Sequence, residues 1–138
     1  MSLKVAVVPD PPRDLVTHVA RRLGDWNAER APDLEAERVF AIAASKGAVL
    51  GGAIAWVYGG WSELDTLWVE ESARGRGIGT QLMACLERDA RQRGLIGLHT
   101  DTFTFQALPF YQKLGYEVFG ELGPYSDGNT RYYLKKRL

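Results

Sequence analysis

Apolar and polar positions along the chain change period several times, and each change marks an element. Leu3–Val8 (LKVAVV) is rich in β-branched residues and predicts a short strand, stopped by Pro9, Pro11 and Pro12. Leu15, Val16, Val19 and Leu23 then recur at helical spacing, with Asp10 and the prolines at the start and Gly24 as the stop. DWNAERAPD reads as loop or short helix. Glu37–Ser45, Ala48–Gly60 and Trp61–Glu71 read as strands, with Gly51 and Gly52 as a bulge. Their connections are too short for a crossover, so they predict an antiparallel meander.

Ile78, Leu82, Cys85, Leu86 and Ala90 form one face of a helix closed by Gly94, with Glu87, Arg88, Arg91 and Arg93 on its other faces. Cys85 reads as inert core. Leu95–Phe103 predicts a buried strand. Ala107–Gly115 predicts a short helix with Pro109 in its first turn. Tyr116–Leu122 and Thr130–Leu138 predict two last strands. The order is β-α-β-β-β-α-β-α-β-β, an α+β fold on a mixed sheet. No linker or repeat divides it, so residues 1–138 read as a single domain.

Composition narrows the function. Seventeen Lys and Arg balance seventeen Asp and Glu, which argues against a general nucleic-acid binder. The single cysteine excludes an internal disulfide and suits a cytoplasmic protein. No apolar run approaches the ~20 residues of a membrane span, and the first residues do not read as a signal peptide. Neither His18 nor His99 has a partner at metal-ligand spacing, so no metal is expected.

ARGRGIGTQL, Ala73–Leu82, carries candidate chemistry. Gly75, Gly77 and Gly79 alternate with other residues just before a helix. Unpartnered N–H groups, the helix dipole, and Arg74 and Arg76 would together favour a diphosphate. The stretch is neither a G-x-x-x-x-G-K loop nor a dinucleotide fingerprint, because the last position of G-x-G-x-x-G falls on Thr80. On its own it reads equally well as a flexible turn.

Two blocks together resemble the GCN5-related N-acetyltransferase (GNAT) superfamily. Arg74, Gly77 and Gly79 fit its R/Q-x-x-G-x-G/A motif, preceded by LDTLWV and followed by TQLMACLERDARQRG. ALPFYQKLGY fits its second block. The resemblance implies a GNAT-like fold of six or seven mostly antiparallel strands with helices on both faces. It also implies acetyl-CoA as co-substrate, without a metal, and direct transfer to the primary amine of a small molecule. A catalytically silent CoA-binding sensor and a protein or peptide N-acetyltransferase are the alternatives. Dimerisation through the last strands stays open.

The resemblance further implies roles for residues. The amides of Arg74, Gly75, Arg76, Gly77, Ile78, Gly79 and Thr80 would hold the pyrophosphate. The backbone of Leu67, Trp68 and Val69 would pair with the pantetheine arm, where its strand splays from that of Leu98–Asp101. Thr104, which stands where the family often has asparagine, would line the cofactor site with Gln106 and Phe110. Tyr111 aligns with the tyrosine that protonates the departing thiolate. Glu63, Asp65 and Asp101 are candidate bases; strict alternation puts the first two on one face unless a bulge intervenes. Trp26, Asn27, Tyr58, Trp61 and Tyr125 would meet the acceptor, and rings with carboxylates favour a cation.

Overall fold

The structure, a computed structural model, describes residues 2–138. The chain forms two compact units, one ending at Glu35 and one from Ala36 to Leu138. The first holds helix α1 (Arg13–Arg30) and a 3-10 turn, Pro32–Leu34. Helix α1 starts directly after the prolines and passes through Gly24, six residues past the expected stop. Glycine inside a helix costs about 1 kcal/mol and does not end it. The extra turn is secured by Arg30, which donates to the Trp26 carbonyl at 3.1 Å and stacks 3.8 Å from the centre of its ring. Leu15, Val16, Val19 and Leu23 form the expected stripe, and each is at least half exposed.

The strand expected at Leu3–Val8 is not formed. Those residues pair with no strand and are exposed. β-branched composition makes a segment fit for a sheet, but a strand also needs an edge to pair with.

The second unit is a six-stranded sheet in the order β1-β2-β3-β4-β6-β5. Its strands are β1 (Glu37–Ser45), β2 (Ala48–Tyr58), β3 (Trp61–Val69), β4 (Gly97–Phe103), β5 (Glu117–Leu122) and β6 (Arg131–Arg137). Helix α2 (Ile78–Gln92) links β3 to β4, and α3 (Leu108–Lys113) links β4 to β5. β3 and β4 run parallel, as a helical crossover requires; the other neighbours are antiparallel. A register shift opposite Ala43 and Ala44 falls beside Gly51, close to the bulge expected there.

One core forms on one face of this sheet. Ala41, Ala53, Ala55, Leu64, Leu98 and Leu134 meet Leu82, Met83, Leu86 and Ala90 of α2 and Tyr111 of α3. Met83 and Glu87 take the places expected for Cys85, which is exposed. A helical stripe predicts an angle only to within one residue, and Glu87 is drawn inward by a partner on β6, Lys136. Among the described residues, no helix is long and apolar enough to cross a membrane.

Candidate active site

The site begins where two strands part. β3 and β4 pair only at Trp61–Gly97, Ser62–Leu98 and Glu63–His99, although β3 runs on to Val69 and β4 to Phe103. The Thr100 hydroxyl donates to the Leu64 carbonyl at 3.0 Å and pins the root of this fork. A bulge follows at once: Leu64 pairs with Ala55 and Thr66 with Ile54, leaving Asp65 without an opposite residue. Beyond it, the inner edge of β3 has no neighbouring strand. Backbone groups on such an edge need partners, and an extended ligand can supply them.

The glycine loop closes the open end. Gly75 and Gly77 have φ of +78° and +77°, a left-handed conformation that other residues adopt at a cost. Gly77 caps α2 without a side-chain bond, so no side chain competes for the first amides of the helix. Gly79 serves a different purpose. A Cβ there would come within 3.3 Å of the Phe110 ring. Arg74 is fixed by an Nε bond to the Val69 carbonyl at 3.0 Å and lies 4.6 Å from the centre of the Trp68 ring. Together these parts line a cleft of about 710 Å³, a volume that suits a cofactor-sized ligand. Its walls are Leu67–Val69 of β3, Ala73–Gly75 and Gly77–Thr80 of the loop, and Phe105, Gln106, Ala107 and Phe110. Arg76 and Thr104 are not on them.

Thr104 is committed elsewhere. Its hydroxyl donates to the Thr130 carbonyl at 3.1 Å and accepts from the Thr130 N–H at 3.0 Å, tying the end of β4 to the start of β6. Gln106 Oε1 accepts from the Phe103 N–H at 2.8 Å. The Thr102 hydroxyl accepts from the Ala107 N–H at 3.1 Å, which steadies the start of α3.

Tyr111, 5 % exposed, lies behind the cleft wall with its ring edge-on to Phe110. Burial pushes its phenol up to about 12, a hydrogen bond with Thr100 lowers it, and the nearby Asp101 charge raises it. The Thr100 contact brings that hydroxyl to the fork root, and at neutral pH it keeps its proton.

The carboxylates separate by environment. Glu63 belongs to the last β3–β4 pair, and its Oε2 accepts the Tyr58 hydroxyl at 2.6 Å. That bond, then burial and the Glu63 charge, raise the Tyr58 phenol above its ordinary value. Asp65 is exposed on the bulge, where its Oδ2 accepts a long 3.5 Å contact from the Thr66 hydroxyl. Asp101 pairs with Arg131 Nε at 3.0 Å. Strand alternation puts His99 and Asp101 on the face away from the core, and Glu63 shares it with His99. Trp61 meets His99 edge-on at 6.2 Å, and Tyr125 meets Phe103 edge-on at 5.0 Å. Trp26 and Asn27 lie on α1 in the first unit.

The structure therefore gathers Leu67–Val69, most of the loop, Gln106 and Phe110 into one cleft, and it sets Glu63, Tyr58 and Trp61 at the fork. Thr100, Phe105 and Arg131 were not singled out from the sequence. Phe105, 67 % exposed beside the second block, carried a usable signal as an apolar ring that no core claims. Thr100 and Arg131 carried none. Among the described residues no group of His, Cys, Asp and Glu could hold a metal ion.

Comparison with known proteins agrees with this architecture. The sequence profile of the Acetyltransferase (GNAT) family matches residues 8–116. A Streptomyces morookaense protein named blasticidin-S acetyltransferase is 37% identical over 131 residues, covering 85% of this chain and 96% of its own. The crystal structure of an acetyltransferase from Bacillus cereus superposes with a TM-score of 0.86 at 28% identity, covering 96% of this chain and 98% of the other. An aminoglycoside 6'-N-acetyltransferase solved with coenzyme A superposes with a TM-score of 0.64 at 26% identity, covering 90% and 87%.

Proposed function

The chain belongs to the GNAT acetyltransferase family, and on that footing we propose that it transfers an acetyl group from acetyl-CoA directly to a primary amine of a small molecule. The observation that carries the reading is the fork: β3 leaves β4 after Glu63 and His99, beside a helix start whose amides no side chain caps. The family profile spans both compact units, which supports reading the chain as one domain.

The cleft fits CoA on its own chemistry. The loop offers free amides and Arg74 to a diphosphate. The open edge of β3 at Leu67–Val69 offers backbone groups to the amides of a pantetheine arm. Bound acetyl-CoA would supply a thioester as acyl donor. The N–H of Val69 would face the thioester oxygen.

Glu63 is the base this reading favours. It stands at the fork root, and Tyr58 orients one oxygen and leaves the other free. An amine with a pKa of roughly 10 must lose a proton before it attacks, and Glu63 would take it. Asp101 is engaged by Arg131, and Asp65 is open to water. Tyr111 holds a proton on its hydroxyl for the leaving sulfur. The acceptor would approach over the face shared by Glu63, His99 and Asp101, where Tyr58, Trp61 and Tyr125 offer rings to a cationic group. The aminoglycoside and blasticidin-S names of the relatives support a small amine.

The test is incubation with acetyl-CoA and a panel of small amines, with free CoA thiol as the readout. Turnover on at least one amine is expected. Failure to bind acetyl-CoA in calorimetry would end this reading of the cleft.

A further inference from the structure

Behind the cleft, a polar contact joins three elements in apolar surroundings. Glu87 of α2 is 6 % exposed and pairs through Oε1 with the Lys136 ammonium of β6. That ammonium lies 5.7 Å from the centre of the Tyr116 ring. Tyr116 is 3 % exposed, and its hydroxyl is buried without a protein partner among the described residues. Its ring meets that of Tyr111 edge-on, with centroids 5.9 Å apart and planes at 71°. Its N–H donates to the Tyr111 carbonyl at 3.0 Å. The turn that ends α3 packs on the lysine stem, for a Cβ on Gly115 would lie 3.6 Å from Lys136 Cε.

None of this is the most stable filling for the space. A buried ion pair is often no better than apolar residues of equal size, and an unpartnered hydroxyl is a loss. What the polar set adds is direction. The pair locks the ammonium between α2 and β6 and over one face of Tyr116. The steep ring contact between Tyr116 and Tyr111 then limits the planes the Tyr111 ring can take.

We propose that Glu87 and Lys136 act through Tyr116 as positioning residues that hold the Tyr111 hydroxyl at the fork root. The proposal rests on Tyr111 being the proton donor. Glu87 and Arg91 from α2, Lys136 from β6 and Tyr111 from α3 face Tyr116; Thr100 and Asp101 from β4 face Tyr111. Burial raises both phenols, so the device works by placement and not by ionisation.

The test compares Tyr111→Phe, the double variant Glu87→Met with Lys136→Met, Glu87→Gln, and Lys136→Arg. The double variant should melt no lower than the parent, because apolar residues replace the pair. Its kcat should fall about ten- to a hundredfold, the effect of a misplaced catalytic group, while the KM for acetyl-CoA stays within about twofold. In fluorotyrosine-labelled protein, the Tyr111 resonance, assigned by its loss in Tyr111→Phe, should shift or broaden. Glu87→Gln keeps the side-chain size and leaves a partly exposed lysine able to reach water, so it serves as a second variant and should also lower kcat. Lys136→Arg keeps the pair and should keep most of kcat and the parental resonance. A double variant and a Glu87→Gln with parental kcat and an unmoved Tyr111 resonance would overturn the proposal and leave Tyr111 as the acid. Loss of kcat in Lys136→Arg equal to that of the double variant would overturn the role of the pair. Full activity of Tyr111→Phe would remove the acid reading, and this proposal with it.

Discussion

At the residue scale, similar side chains differ by what they touch. Strict alternation puts Glu63 and Asp65 on one face, and the bulge interrupts the alternation only after Asp65, which it leaves without an opposite residue. Glu63 is held by Tyr58, Asp101 by Arg131, and Asp65 by nothing stronger than a 3.5 Å contact. Glu63→Gln should lower kcat by about 10²–10⁴-fold, the usual contribution of a general base, with free CoA thiol as the readout. Tyr58→Phe should cost only severalfold, because it orients the carboxylate without replacing it. Asp101→Asn should leave most of the rate, since Asp101 is engaged by Arg131. If Glu63→Gln turns over at the parental rate while Asp65→Asn is inactive, the base is Asp65. The candidates were legible as residue types, Glu63 and Asp65 in WSELDTLWV and Asp101 in LIGLHTDTF. Their separation was not, because a bulge depends on the partner strand and Arg131 is 30 residues from Asp101.

At the element scale, the loop and α2 were readable because their signals are local: glycines at fixed offsets, then an apolar stripe. The glycines themselves are not equivalent. Gly77→Ala forces a side chain into φ of +77°, which should cost roughly 1–2 kcal/mol of stability, seen as a lower melting midpoint together with weaker acetyl-CoA binding. Gly79→Ala meets no backbone penalty. Its methyl presses on Phe110 at 3.3 Å, so the KM for acetyl-CoA should rise with little change in melting. Equal effects on both measurements in the two variants would show that the loop responds only as a flexible turn. Two elements depart from the expectation. Leu3–Val8 has strand composition but pairs with no strand, and α1 continues through Gly24 because Arg30 and Trp26, one turn apart, secure its last turn.

For the whole molecule, the buried phenols tie stability to pH. Burial first of all raises Tyr111 from 10.0 to about 12, and it raises Tyr116 as well. Between those two values the unfolded chain loses the Tyr111 proton while the folded chain keeps it. Stability should therefore be complete below pH 10 and fall as pH rises, by roughly 2–3 kcal/mol from Tyr111 alone. Denaturant melts between pH 8 and 12, followed by phenolate absorbance, would check this, the loss beginning near the free tyrosine value of about 10; a midpoint that does not drop at the alkaline end would refute it. From Glu37 onward the sequence by itself determined the element types, the meander, the loop and the family, because each is written in spacings of a few residues. Only the tertiary structure decided which edge of β3 stays open, which partner each carboxylate near the fork meets, and that Glu87 turns inward to Lys136. Those outcomes depend on partners far away along the chain, which become neighbours only when the sheet and its helices close on one core.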